Sequence, residues 1–346
     1  MTDRSGVRLA ELTTLRTGGP AAHATAAETD DELVDAVRAA DTTGRPMLLI
    51  GGGSNLVAPD AGWPGDVILI RSRGIEDVRG VGQDVHVRVE AGEPWDEVVA
   101  RSVAAGWSGL ESLSGIPGRT GATPVQNVGA YGREVADSIS GVEVFDRDTG
   151  HRTNLAAAAC RFEYRDSRFK HTERFVVLAV RFHLRRSLHS APIRYVELAA
   201  RLGVEVGDRA RTEDVRAAVL ELRRSKGMVL DPADHDTWSA GSFFTNPVLP
   251  PAAYLAFSER ARAHLGPTAD WPAYPDPKGR KLSGGWLIEQ AGFSRGYVRG
   301  PAALSGKHAL ALTNLGSATT ADILALAAEI TERVESIFGV RLQPEP

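Results

Sequence analysis

The run LLIGGGSNL (Leu48–Leu56) constrains the fold more than any other stretch of the chain. Three glycines after a buried strand can bring backbone N–H groups close to a phosphate. A Rossmann fingerprint would need its last glycine where Leu56 stands, and a helix opening from the turn. Here a second apolar run, DVILI (Asp66–Ile70), follows, so strand succeeds strand. A doubly wound dinucleotide fold is thereby excluded. What remains is a phosphate-cradling turn or a tight glycine turn with no ligand.

Periodicity marks the other elements. TDDELVDAVRAAD sets Thr29 and Glu32 at capping-box spacing with Leu33, Val34, Val37 and Ala40 on one face, which predicts a helix. Alternation predicts a strand in DVHVRVEAG, and EPWDEVVARSVAAGW reads as a helix with proline in its first turn. RFVVLAVRFHL (Arg174–Leu184) is the strongest strand of the middle region. An amphipathic helix starts at Thr212, and another runs from Ala321 to Phe338, ended by Gly339. VRLQPEP reads as a short closing strand.

A chain of 346 residues is expected to hold two or three domains, at roughly 150 residues each. Its net charge of −4 and lack of any basic block exclude nucleic acid as main partner, because phosphate neutralisation needs clustered Lys and Arg. The single cysteine, Cys160, allows no intrachain disulfide and fits a reducing cytoplasm. MTDRSGVRLAEL has no apolar signal region, and nowhere is there an apolar run long enough to span a membrane.

Four motifs carry candidate chemistry. SLSGIPGRTGATPVQNVGAYG (Ser112–Gly132) is rich in glycine and almost uncharged, which suits a backbone lying against a flat ring system, with Gln126, Asn127 and Tyr131 as polar side chains. A purely structural loop is the alternative. CRFEYRDSRFK gathers Tyr164, Arg165 and Asp166; arginine there suits carboxylate or phosphate recognition, or else a surface Arg–Asp pair. AGSFFTNP (Ala240–Pro247) holds Ser242 outside any G-x-S-x-G elbow, so the serine reads as a turn residue before an aromatic core strand and not as a hydrolase nucleophile. GPAALSGKHAL imitates a Walker loop, but His308 stands where a magnesium-binding hydroxyl belongs, which excludes ATP hydrolysis. The histidines show no metal-ligand spacing.

Taken in order with KLSGGWLIEQAG and LQPEP, these motifs resemble the UDP-N-acetylenolpyruvoylglucosamine reductase family over Thr13 to Glu345. The resemblance implies an α+β fold: a two-part FAD-binding module of the vanillyl-alcohol-oxidase (PCMH) type plus a C-terminal α+β substrate-binding domain. The expected bounds are 1–70 and 71–200 for the two FAD-binding parts, with the tail 339–346 joining the first, and 201–338 for the substrate domain. It implies non-covalent FAD, NADPH as reductant and no metal. Hydride would pass from flavin N5 to the enolpyruvyl methylene carbon of a UDP-sugar, and Ser242 would protonate the adjacent carbon as general acid. Arg165 would meet the substrate carboxylate, and Glu345 would polarise it by hydrogen bonding as the acid.

By the same resemblance, Gly51, Gly52, Gly53, Ser54, Asn55 and Leu56 would cradle the FAD pyrophosphate. Ile116, Pro117, Gly118, Gly121, Ala122 and Thr123, with Gln126, Asn127 and Gly129, would lie near the ring. Tyr131, Tyr195, Lys226, Asn246 and Lys281 would contact substrate. The expected protein is cytoplasmic, a monomer or weak oligomer, with no nucleic-acid or membrane partner. A flavin oxidase of the same superfamily and a non-catalytic nucleotide-sugar binder are the rival readings, and the joint presence of Ser242, Arg165 and Glu345 speaks against both.

Overall fold

A computed structural model of the chain describes residues 2–3, 6–78, 80 and 82–346. It divides into two compact units, the first made of the N-terminal residues through Val7, Pro20–Gly53 and Trp63–Val229, the second of Arg8–Gly19, Ser54–Gly62 and Leu230–Pro346.

In the first unit β1 (Thr2–Asp3), β2 (Ala21–Ala27), β3 (Met47–Ile50) and β4 (Trp63–Ile70) form one sheet in the order β1-β2-β4-β3. β3 runs parallel to β4, so the glycine turn at Gly51 opens a crossover between parallel neighbours and not a hairpin. Helix α1 (Asp30–Thr43) starts where the Thr29 hydroxyl accepts the Glu32 N–H at 3.2 Å. Glu32 in turn accepts from the Glu28 N–H, one residue before the partner a capping box would give it. The apolar face of α1, Leu33, Val34 and Val37, packs with Ile68 of β4 and with Phe145, Val176 and Leu178.

Those last three belong to a second sheet. It contains β5 (Ile75–Val78), β6 (Asp84–Glu90), β7 (Trp107–Ser108), β10 (Ile139–Asp146), β11 (His151–Ala156) and β12 (Phe175–Arg186), with β8 (Gly129–Ala130) and β9 (Arg133–Glu134) forming a separate hairpin. Alternating Val85, Val87 and Val89 of β6 bury against Trp95, Val98 and Val99 of α2 (Trp95–Ala104). Helices α3 (Val196–Leu202) and α4 (Thr212–Ser225) pack on each other through Leu198, Val215 and Val219.

The expectation that residues 201–338 form one domain differs from the structure, because α4 belongs to the first unit. Arg216 of α4 holds the Asp96 carboxylate in a bidentate pair of 2.6 and 2.8 Å, and Asp96 also accepts the Gly115 N–H. Leu220 crowds Gly115 so closely that a Cβ there would lie 2.8 Å from it.

In the second unit β13 (Val248–Leu249), β14 (Ala273–Asp276) and β15 (Gly279–Leu282) form one small sheet, and β16 (Val298–Arg299), β17 (Ala302–Leu304) and β18 (Leu312–Asn314) another. Helices α5 (Pro251–Leu265), α6 (Gly284–Gln290) and α7 (Thr320–Phe338) surround one core. The tail lies here together with Arg8–Gly19 and Ser54–Gly62, with Val340 and Leu342 buried beside Phe243 and Phe244. The tail is not a strand: one bridge, Phe244 to Pro344, is all the ladder it makes. Among the described residues, no helix is long and apolar enough to cross a membrane.

One buried cluster in the first unit makes stability pH-dependent. Asp30, at the start of α1, and Glu90 and Glu143, from β6 and β10, surround Arg88, and Arg181 of β12 binds Glu143 as well. Asp30 Oδ1 and Glu90 Oε2 are buried with no donor between them unless one carboxyl keeps a proton. Burial first, then the Glu90 carboxyl, pushes the Asp30 pKa from 3.8 up to about 7. The folded chain thus binds a proton that the unfolded chain releases, so this contribution is complete below pH 3.8 and is lost as pH rises through about 7. Asp30→Asn is expected to shift relative stability in the variant's favour by about 2 kcal/mol between pH 5 and pH 8, allowing for solvent screening of a partly exposed pair. Parallel stability curves for parent and variant in urea titrations across that range would refute it.

Candidate active site

The glycine turn leaves β3 with Arg71 Nη1 donating to the Gly51 carbonyl at 2.8 Å, which fixes where the turn starts. Among the described residues, none of the N–H groups of Gly51, Gly52 and Gly53 donates to a backbone carbonyl. Three successive donors in one turn, the last at φ 62°, are the donor set a pyrophosphate requires, so the residues present fit FAD. Ser54, Asn55 and Leu56 continue the turn into the second unit.

The second glycine loop rests directly on this turn. A Cβ on Gly52 would lie 2.5 Å from the Gly118 Cα, and one on Gly121 would lie 2.5 Å from the Ala91 Cβ. The N–H groups of Thr120, Gly121, Ala122 and Thr123 are all used internally, donating to Glu93, Ala91, Arg119 and Thr120. Ile116 and Gly118 donate to no backbone carbonyl among the described residues.

The Asn127 side chain is turned into the fold. It is 1% exposed, and its amide donates to the Glu134 carboxylate at 2.7 Å and the Glu163 carbonyl at 3.0 Å while accepting from the Ala136 N–H. The side chain holds the loop to the Tyr164–Arg165 segment. Gln126 and Gly129 stand half-buried on either side of it.

Arg165 donates through Nη2 to the Gly129 carbonyl at 2.7 Å, and its guanidinium lies 5.2 Å from the Tyr164 ring centre. Asn127, Tyr131 and Arg165 all have left-handed backbones, with φ of 46°, 50° and 53°. Such conformations are uncommon for side-chain-bearing residues and gather at functional sites. Tyr131 meets Tyr195 edge-on at 5.4 Å, and burial pushes its hydroxyl pKa up to about 12. Lys226, capping the end of α4, lies over the Tyr131 ring and pairs with Glu197.

Sequence reasoning missed Arg223. It continues the apolar stripe Val215, Val219 of α4, and a charged residue at a core position was the available signal. Its Nη2 donates to the Met228 carbonyl, its Nε is buried without a partner among the described residues, and burial pulls its pKa down to about 10. Tyr131, Asp96 and Arg165 are the charged and titratable groups it feels.

In the second unit Ser242 sits between Gly241, at φ 74°, and two phenylalanines. Phe243 and Phe244 are each 1% exposed and anchor the core, and the Phe243 N–H donates to the Leu310 carbonyl at 2.7 Å. Ser242 itself is half-buried, and its hydroxyl has no hydrogen-bond partner among the described residues. The segment Gln343–Glu345 runs back along it: Thr245 N–H donates to Gln343, Glu345 N–H to the Phe243 carbonyl at 2.9 Å, and Asn55 Nδ2 to the Glu345 carbonyl. This pairing brings Glu345 beside the residue that follows Ser242. Asn246 accepts the Gly284 N–H at the head of α6, and Lys281 lies opposite Val248 on β15.

The candidate residues therefore fall into two groups. Arg165, Tyr131, Tyr195 and Lys226 belong to the first unit, and Ser242, Glu345, Asn246 and Lys281 to the second.

The chain is similar to known proteins over nearly its whole length. Residues 21–156 match the family described as FAD binding domain, and residues 231–346 match UDP-N-acetylenolpyruvoylglucosamine reductase, C-terminal domain. A UDP-N-acetylenolpyruvoylglucosamine reductase from Thermobifida fusca (strain YX) is 54% identical over 341 residues, covering 98% of this chain and 96% of its own length. One from Salinispora arenicola (strain CNS-205) is 54% identical over 342 residues, with 98% and 93% covered. The crystal structure of UDP-N-acetylenolpyruvylglucosamine reductase (MurB) from Thermus caldophilus aligns with TM-score 0.66 at 27% identity, covering 99% of this chain and 98% of that one.

Proposed function

Because the chain belongs to the UDP-N-acetylenolpyruvoylglucosamine reductase family, we propose that it uses NADPH to reduce UDP-N-acetyl-3-O-(1-carboxyvinyl)-glucosamine to UDP-N-acetylmuramate. The fold is the expected one, an α+β FAD-binding module followed by the reductase C-terminal domain, and the chain is an FAD-dependent oxidoreductase of peptidoglycan precursor synthesis. Its place of action is the cytoplasm, where that nucleotide sugar and NADPH are found together.

FAD, held by Gly51–Gly53 and the Ile116–Gly118 backbone, supplies the hydride chemistry. The chain supplies charge and a proton. Charge grows on the substrate carboxylate as its double bond is reduced, and Arg165, with Arg223 behind it, is the fixed cation that stabilises it. Ser242 gives its hydroxyl proton to the electron-rich carbon beside that carboxylate. Glu345 supports the carboxylate. Tyr131, Tyr195 and Lys226, with Asn246 and Lys281, hold the UDP moiety, the ammonium groups suiting its diphosphate.

The observation that supports this reading most is the hydrogen bond from the Glu345 N–H to the Phe243 carbonyl, which holds the backbone of the terminal glutamate beside the residue that follows Ser242. The purified protein should be yellow, bleach with NADPH without oxygen, and regain colour when the enolpyruvyl UDP-sugar is added. Colour returning only with oxygen would point to an oxidase.

A further inference from the structure

Lys226, assigned above to the substrate diphosphate, is already engaged by an anion of the chain itself. Its Nζ pairs with the Glu197 carboxylate, and the same ammonium stands 5.9 Å over the Tyr131 ring. Glu197 lies in the first turn of α3, two residues after Tyr195, whose ring packs edge-on against that same Tyr131. One short segment thus presents an aromatic ring and a carboxylate to the two groups expected to hold the nucleotide. Val196 between them is 73% exposed, so no core packing fixes the segment at that point.

We propose that Glu197 is an internal stand-in for the substrate diphosphate, holding Lys226 in the free enzyme and giving it up when the nucleotide arrives. The inference rests on the reading of Lys226 as a diphosphate ligand. A diphosphate carries more charge than one carboxylate and outcompetes it at the ammonium, whereas a ligand without phosphate gains nothing from the exchange. Glu197 therefore acts through Lys226 as a positioning residue. The Lys226 and Glu197 side chains are 32% and 43% exposed, so the pair is weak and its effect modest.

The test uses the FAD-loaded protein, with UDP and uridine as probes in calorimetric titrations and the UDP-sugar in steady-state kinetics. Glu197→Gln should tighten UDP binding about threefold to fivefold, the gain expected from removing a weak competing ion pair, and leave uridine binding where it was. In kinetics the gain should fall in KM, because the pair is already broken in both bound substrate and transition state. Glu197→Asp keeps the charge but is too short to reach Lys226, so it should behave like Glu197→Gln. Lys226→Ala should weaken UDP binding, and on that background Glu197→Gln should add nothing.

Each other outcome counts against the proposal. If Lys226→Ala weakens UDP but Glu197→Gln does not tighten it, the stand-in role is wrong and the diphosphate reading survives. If Glu197→Gln tightens UDP equally without Lys226, or Glu197→Asp behaves as the parent, Glu197 repels the ligand directly. If Lys226→Ala leaves UDP affinity unaltered, the diphosphate reading itself falls.

Discussion

Replacing Ser242 by alanine should leave bleaching by NADPH within about twofold of the parent and slow the return of colour with the enolpyruvyl substrate by roughly a thousandfold, within the range for loss of a positioned general acid. The selectivity follows from where the hydroxyl is placed. Gly241 in a left-handed turn and the buried Phe243 and Phe244 hold the backbone on both sides, so removing one oxygen empties no core. The hydroxyl has no partner among the described residues, so no hydrogen bond within the fold is lost either. A serine hydroxyl is a very weak acid in water, but a carbanion-like centre is basic enough to take its proton once the two are aligned. Stability should therefore move by less than about 1 kcal/mol, the ordinary size for a change outside the core. Stopped-flow absorbance of the two half-reactions is the measurement; equal slowing of both would remove Ser242 from the proton-transfer role and leave it a turn residue.

Much of the fold could be read from sequence because its signals are local. The order strand, glycine turn, strand excluded a Rossmann start, and the parallel pairing of β3 with β4 explains why: the turn leads into a crossover and opens no helix. Thr29, Gly339 and the apolar stripe of α7 likewise mark helix limits by capping and periodicity alone. What stayed hidden depends on partners distant in sequence. The apolar face of α4 reads the same whichever unit it covers, and contacts such as the Arg216–Asp96 pair and Leu220 against Gly115 are what assign it to the first. Asn314 Nδ2 donates to the Leu15 and Arg16 carbonyls, and the Thr320 and Ala321 N–H groups donate to Asp60, which places two N-terminal pieces in the second unit with nothing in their composition to announce it. Asn127 looked like a ligand-facing amide because polar residues in glycine loops often are; its partners Glu134 and Glu163 are invisible until the chain is folded.

The second large effect is expected at Gly52, where Gly52→Ala should yield colourless protein whose affinity for added FAD has fallen by roughly a thousandfold or more, some 4 kcal/mol. A Cβ at this position would stand 2.5 Å from the Gly118 Cα, 3.1 Å from its carbonyl carbon and 3.3 Å from its nitrogen, against an ordinary contact of 3.4–4 Å. All three atoms are backbone, so no side chain can rotate aside. Gly118 cannot yield easily either, since its φ of 120° is one that glycine alone adopts comfortably. The clash must be relieved by separating the two loops, and those loops carry the donors at Gly51–Gly53 and at Ile116 and Gly118 that FAD would use. None of the buried cluster residues comes from Gly51–Gly53 or Ile116–Gly118, and Ile116 only packs against the edge of one cluster, so the variant should still fold, with circular dichroism close to that of the parent. Gly44→Ala provides the control. Gly44 is also left-handed, at φ 65°, but a Cβ there meets nothing within 4 Å. It should lower stability by about 1 kcal/mol through backbone strain while the protein stays yellow. If Gly52→Ala also stays yellow and binds FAD as the parent does, the close approach of the two glycine loops has no part in holding the cofactor.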